Sequence, residues 1–102
     1  MAEIPDTFDV ETKLLRYLAG FVGPKSARSA YDALASQFGL GWSTQTQRMP
    51  NQGEPHWPNR VRSAMTRLVK KGYAERMVRN EWMATQKGRD HIRLIDNLKI
   101  NI

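Results

Sequence analysis

An amphipathic helix followed at once by a short hairpin is the feature of this sequence that most constrains its fold. From about Pro58 to Lys71, apolar residues recur with the period of an α-helix and share one side of it. These residues are Val61, Ala64, Met65, Leu68 and Val69. Gly72 then ends the helix, and two short alternating segments flank a turn at residues 78–80. We therefore expect a mostly α-helical chain with a small β-hairpin, an α+β fold.

Two helices precede this stretch and one follows it. Asp6 or Thr7 can cap the first helix. Ser26 caps the second, which stops at Gly39, and Thr85 can cap the last. Helices that lead into a two-stranded ribbon have the element order of a winged helix-turn-helix.

The length of the chain sets the number of domains. A chain of 102 residues is the size of one domain. We expect a single winged-helix domain over residues 1–102, with its core between about residues 8 and 98.

The segment 40–57 separates the second helix from the third and shows no sustained period. A loop of this length is usually functional or wraps the core. Trp42, Met49 and Trp57 can pin it to the core. Alternatively, Trp42 or Trp57 joins His56 in a ligand surface beside the following helix. Both interpretations stay open.

The positive charge of the chain belongs to one region. The net charge is +6 and the pI is near 10.1. Residues 1–55 hold five Lys/Arg against six acids, whereas residues 56–93 hold ten against three, a net charge of +7. Such a region indicates a polyanionic partner, although many small basic proteins bind no nucleic acid.

The exposed side of the helix over residues 58–71 carries short polar groups among long cations and contains no acid. Base edges are recognised by Asn, Ser, Thr and Arg, and phosphates by Lys and Arg. We therefore expect this helix to bind double-stranded DNA. The candidate contacts on it are Asn59, Arg60, Arg62, Ser63, Thr66, Arg67, Lys70 and Lys71.

The hairpin adds Arg76, Arg79 and Asn80 as candidate contacts. A basic ribbon beside a major-groove helix commonly reaches a phosphate or the adjacent minor groove. The alternative is a hairpin that only closes the core and leaves its arginines in solvent. The layout favours duplex DNA over a single strand, because no strand carries an array of stacking aromatics.

Several classes of function lack the residues that they need. The chain has no cysteine, and His56 and His91 lie far apart, so neither a metal site nor another cofactor site is expected. There is no glycine-rich phosphate loop and no paired carboxylate in an apolar setting, so we expect no catalysis by this chain. No segment has the apolar length of a membrane span and the acidic N-terminus is no signal peptide. A cytoplasmic protein of a prokaryote or phage is expected.

Three stretches together resemble a known family. They are SARSAYDALASQFGL, RMPNQGEPHWPNRVRSAMTRLVKKGYAER and the pattern W-x-A-T-x-K-G. With this ordered spacing, the chain resembles the N-terminal winged-helix domain of Mrr-type restriction proteins over about residues 10 to 95. The resemblance implies a DNA-binding domain of a restriction-type system, the same helix and hairpin contacts, and a nuclease domain or protein as partner. The nuclease half itself is missing here, with neither a Glu-x-Lys at a plausible distance nor an HNH cluster.

The resemblance also extends to modules that recognise methylated adenine. It makes His56, Trp57 and Trp82 candidates for contact with a base or a modified base. Two other functions stay open: a small transcriptional regulator that binds an operator as a homodimer, and a winged-helix protein-interaction module. Whether the chain is a full protein or a fragment of a longer restriction enzyme also stays open.

Overall fold

The computed structural model describes residues 4–45 and 56–100 of the chain. Within them, four long helices and one single-turn helix surround a three-stranded antiparallel sheet. In chain order the elements are α1 (Thr7–Ala19), β1 (Lys25–Ser26), α2 (Ala27–Gln37), α3 (Trp42–Gln45), α4 (His56–Lys71), β2 (Ala74–Arg76), β3 (Glu81–Ala84) and α5 (Gln86–Ile100). The predicted α+β class is confirmed, and the arrangement is winged-helix-like.

Capping residues define the helix ends as the sequence predicted. The Asp6 carboxylate accepts a hydrogen bond from the backbone N–H of Asp9 at 2.9 Å, which caps α1. The Ser26 hydroxyl accepts one from the N–H of Ser29 at 3.1 Å, which caps α2. After α4, Gly72 has a φ of 79°, the left-handed conformation that ends a helix. These three predictions are confirmed.

The sheet contains one strand more than the sequence indicated. In place of a two-stranded hairpin, β1 pairs with the far edge of β3, and the strand order is β1-β3-β2. Lys25 pairs with Trp82 and Ser26 pairs with Glu81. A strand of two residues is too short to show an alternating pattern, so only the pairing with β3 defines it.

Helix α4 begins at His56, two residues before the predicted start at Pro58. Pro58 lies in the first turn, where its missing N–H breaks no bond because the first N–H groups of a helix have no intrahelical partner. The earlier start places Trp57 on the buried side of α4, with 1% of its surface exposed. Trp57 is therefore a packing residue. The side chain of Trp42 and the whole of Met49 lie outside the described residues, as does most of the predicted loop.

One hydrophobic core joins these elements. Helix α1 packs mainly against α4, and α2 and the sheet close the core around them. The largest fully buried side chains are Trp57, Leu14, Leu15, Leu18, Leu34, Met65 and Leu68. Because α4 is held by its apolar side, its polar side faces solvent next to the hairpin.

Candidate nucleic-acid interface

The outward side of α4 carries the polar residues that the sequence assigned to it. Arg62, Ser63, Thr66 and Lys70 are exposed, whereas Val61 on the opposite side is completely buried. No acid occurs in the sixteen residues of this helix. This side of α4 is therefore cationic and offers short hydroxyl groups at the same time.

The hairpin joins this side of α4 through one side-chain pair. The Arg76 guanidinium on β2 donates a hydrogen bond to the Thr66 hydroxyl at 2.8 Å. That hydroxyl in turn donates to the backbone carbonyl of Arg62 at 3.1 Å. Helix and hairpin thus form one continuous surface, and Thr66 positions Arg76 within it.

The turn at the tip of the hairpin has an uncommon backbone. Arg79 and Asn80 have φ values of 57° and 59°. Positive φ at both central residues is the requirement of a type I′ turn, which matches the twist of the two strands. Asparagine tolerates this conformation, but an arginine in it is strained. The Arg79 side chain is exposed at this tip.

A backbone hydrogen bond ties this tip to the start of α2. The N–H of Ala27 donates to the carbonyl of Asn80 at 2.8 Å. Together with the pairing of β1 and β3, this bond holds the hairpin against the body of the domain. The hairpin is therefore a fixed part of the surface.

Two of the residues predicted to contact DNA, Arg67 and Lys71, bind a carboxylate of the domain itself. Arg67 Nε donates to Glu11 Oε2 at 2.8 Å, and Lys71 Nζ donates to the other oxygen of the same carboxylate at 2.5 Å. Burial raises the pKa of Glu11, but the hydrogen bonds from Lys71 and Arg67 outweigh that effect and hold the pKa below its ordinary value. Arg67 and Lys71 therefore neutralise a buried carboxylate of α1 and join α1 to α4.

The three residues expected to contact a base do not come together. Trp57 lies in the core, where its indole N–H donates to the backbone carbonyl of Tyr31 at 2.9 Å. Trp82 is 4% exposed and packs edge-on against the Tyr31 ring, with 5.8 Å between the ring centroids. Only His56 is partly exposed, and its Nε2 lies 3.2 Å from the guanidinium of Arg60. Both tryptophans are almost completely buried, so little of either ring is open to a base. Asn59, at the same end of α4, is partly buried.

A cleft of about 540 Å³ lies between the start of α2, the side of α4 and the hairpin. Arg62, Arg76 and Arg79 line it, as the sequence candidates suggested, and Arg28 of α2 lines it as well. Arg28 is not among the predicted contacts, because it lies about thirty residues before the basic region and reaches this surface only when β1 pairs with β3. No periodicity or composition signal in the sequence could have identified it.

Among residues 4–45 and 56–100, no group of three or more His, Cys, Asp or Glu is placed to hold a metal ion. No helix within these ranges is both long enough and apolar enough to cross a membrane.

Comparison with known protein families gives a match. The family model described as the Mrr N-terminal domain matches residues 10–93, which include α4, the hairpin and most of α1. No curated protein and no solved structure matches the chain.

Proposed function

The chain belongs to the Mrr N-terminal domain family, and from this premise we propose that it binds double-stranded DNA. In this proposal α4 lies in the major groove, and the hairpin contacts the phosphates or the minor groove next to it. The domain serves as the DNA-binding module of a restriction-type system, and a nuclease domain or partner protein supplies the cleavage.

The observation that carries the proposal is the continuous cationic surface of α4 and the hairpin. Thr66 links Arg76 to the backbone at Arg62, and Arg79 extends the same surface to the hairpin tip. Two consecutive elements thus present arginines side by side with hydroxyl groups. A duplex requires both, because cations bind its phosphates and short polar groups or arginines bind its base edges.

We divide the proposed contacts into two groups. Arg62 and Ser63 on the exposed side of α4 are the candidates for base edges. Lys70 and the hairpin arginines Arg76 and Arg79 are the candidates for phosphates. Since Arg67 and Lys71 already bind Glu11, we assign them to the support of α4.

Recognition of modified bases is a finer part of the proposal and rests on the family alone. The burial of Trp57 and Trp82 removes the aromatic surface that would have supported it. The affinities for otherwise identical duplexes with and without adenine or cytosine methylation test whether modified bases are recognised. Equal affinity for all of these duplexes would rule out recognition of modified bases, and the domain would then be a general or operator-binding module.

The experiment that tests the proposal is a fluorescence-anisotropy titration of labelled duplexes at several salt concentrations. We expect binding that weakens steeply with salt, because each phosphate contact adds about 0.9 to the slope of log K against log salt. Arg62→Ala should cost about 1–3 kcal/mol on the preferred sequence and less on others, if Arg62 meets a base. Lys70→Ala should weaken binding equally on every sequence.

Arg93→Ala is the control for the loss of one positive charge. Arg93 is exposed on α5 and does not line the cleft. Its replacement should leave the affinity within about twofold, since it meets no DNA in this proposal. Affinity that does not change with salt would contradict the electrostatic basis of the proposal. Absence of binding to any duplex would favour the protein-interaction module instead.

A further inference from the structure

The cleft beside the hairpin gathers four arginines from three separate parts of the chain. Arg28 comes from the first turn of α2, Arg62 from α4, and Arg76 and Arg79 from the hairpin. None of the described residues that line the cleft is an acid. Four like charges around one concave space repel one another, and an anion seated between them relieves that repulsion.

The ion pairs of the domain do not supply that anion. Within residues 4–45 and 56–100, the ion pairs join Arg16 to Asp96 and join Arg67 and Lys71 to Glu11. The cleft arginines take part in none of these. Among the described residues, acids thus neutralise Arg67 and Lys71 of α4, whereas no acid pairs with the arginines of the cleft.

The cleft is held in shape before any ligand arrives. The Ala27 N–H donates to the Asn80 carbonyl at 2.8 Å, which places Arg28 beside the hairpin tip. Arg76 is oriented by its hydrogen bond to Thr66. Because the backbone beside Arg28 and the side chain of Arg76 are already held, binding of an anion costs less conformational entropy than it would at a site without these bonds.

The chemistry of the cleft identifies the anion. The planar guanidinium group binds phosphate oxygens with two parallel N–H donors, which favours phosphate over a simple point anion. The first turn of α2 contains no acid, so its N–H groups add to the positive potential around Arg28. The apolar side chain of Met77 also lines the cleft, so the lining is not made up of charged groups alone.

We infer that this cleft is a phosphate-binding site in which Arg28 of α2 works together with Arg79 of the hairpin. The inference rests on the proposed function, in which the phosphate belongs to the backbone of the bound duplex. It extends the DNA-binding surface from α4 and the hairpin to a third element, the start of α2. A free phosphate compound has the same chemistry and is the other source that the test separates.

The test compares Arg28→Ala with Arg93→Ala in the whole chain, by anisotropy titration with a labelled duplex at several salt concentrations. Arg28→Ala should weaken binding roughly three- to tenfold and lower the salt slope by about one, on every sequence alike. Arg93→Ala should change neither. Both side chains are exposed, so both variants should melt at the wild-type temperature.

The outcomes separate this inference from the proposed function. If the wild type binds duplex and Arg28→Ala binds equally well, the cleft is no phosphate site, while the proposed function stands. If the wild type binds no duplex, the proposed function fails, and titration with inorganic phosphate followed by NMR decides the cleft. Shifts at the amides of Ala27 and Asn80 that disappear in Arg28→Ala would then identify a site for free phosphate compounds. The absence of such shifts would overturn the inference.

Discussion

Gly88 shows how the packing of a fold can require one particular residue type. It lies in the first turn of α5, directly against the backbone of Tyr73. A Cβ atom at this position would lie 2.0 Å from the Tyr73 carbonyl oxygen and 3.0 Å from Leu15 Cδ1. Only a residue without a side chain allows α5 to approach the sheet this closely.

We predict that Gly88→Ala destabilises the domain by at least about 2 kcal/mol, because the backbone of Tyr73 or the whole of α5 must move. The free energy of unfolding, measured by urea denaturation, checks this. Gly23→Ala is the matched control, since a Cβ atom there has no neighbour within 4 Å. If the two variants are equally stable, α5 does not lie as close to Tyr73 as described.

At the scale of the element, the hairpin combines a demanding turn with an exposed cation. Arg79 occupies a left-handed backbone conformation that glycine adopts without strain. The sequence placed the turn at residues 78–80, and that prediction is confirmed. A strained arginine at an exposed tip motivates the hypothesis that its side chain is retained for binding.

Two variants of Arg79 separate the strain from the charge. Arg79→Gly and Arg79→Ala both remove the guanidinium and should weaken duplex binding to the same extent. Only the glycine relieves the backbone, so Arg79→Gly should be more stable than Arg79→Ala by about 1 kcal/mol. Thermal melting and anisotropy titration of both variants check this. A glycine variant that melts below the alanine variant would show that the turn is not left-handed.

At the scale of the whole molecule, one carboxylate connects the acidic and basic parts of the chain. Glu11 of α1 is 5% exposed and binds both Arg67 and Lys71 of α4. Its side chain holds the two main helices of the core together and neutralises part of the charge on α4. This ion-pair group separates the supporting cations of α4 from those that face the proposed ligand.

We predict that Glu11→Gln lowers the free energy of unfolding at neutral pH by about 1–2 kcal/mol. This expected loss of stability lies between the values for exposed and for buried ion pairs, because the side chains of Arg67 and Lys71 are about half exposed. The folded-state pKa of Glu11 lies below its ordinary value of 4.5, so the carboxylate stabilises the fold above that pH. This stabilisation is lost as the pH falls through the folded-state pKa.

Urea denaturation between pH 7 and about pH 2 measures this contribution. The wild type should lose more stability than Glu11→Gln on the acid side, and the two curves should converge at the lowest pH. Asp32→Asn is the control, because Asp32 is exposed and forms no ion pair with any described residue. A constant difference between wild type and Glu11→Gln at all pH values would contradict the role of the ionised carboxylate.

Local patterns in the sequence were enough to predict the four long helices, the hairpin and the location of the charge. Helical periodicity predicted the helices, and Asp6, Ser26 and Gly72 predicted where they begin or end. On α4, the side opposite the apolar residues carries cations and no acid, which made it the candidate binding side. These signals are local, since they depend on residues within one or two turns of each other. For that reason these signals can be recognised in the sequence alone.

Only the tertiary structure decided which residues share the candidate site. It turned Arg67 and Lys71 toward Glu11, placed Trp57 and Trp82 in the core, and brought Arg28 beside the hairpin. Each of these outcomes depends on contacts between residues far apart in sequence. Such contacts follow from the packing of whole elements, and no pattern within a single element encodes them.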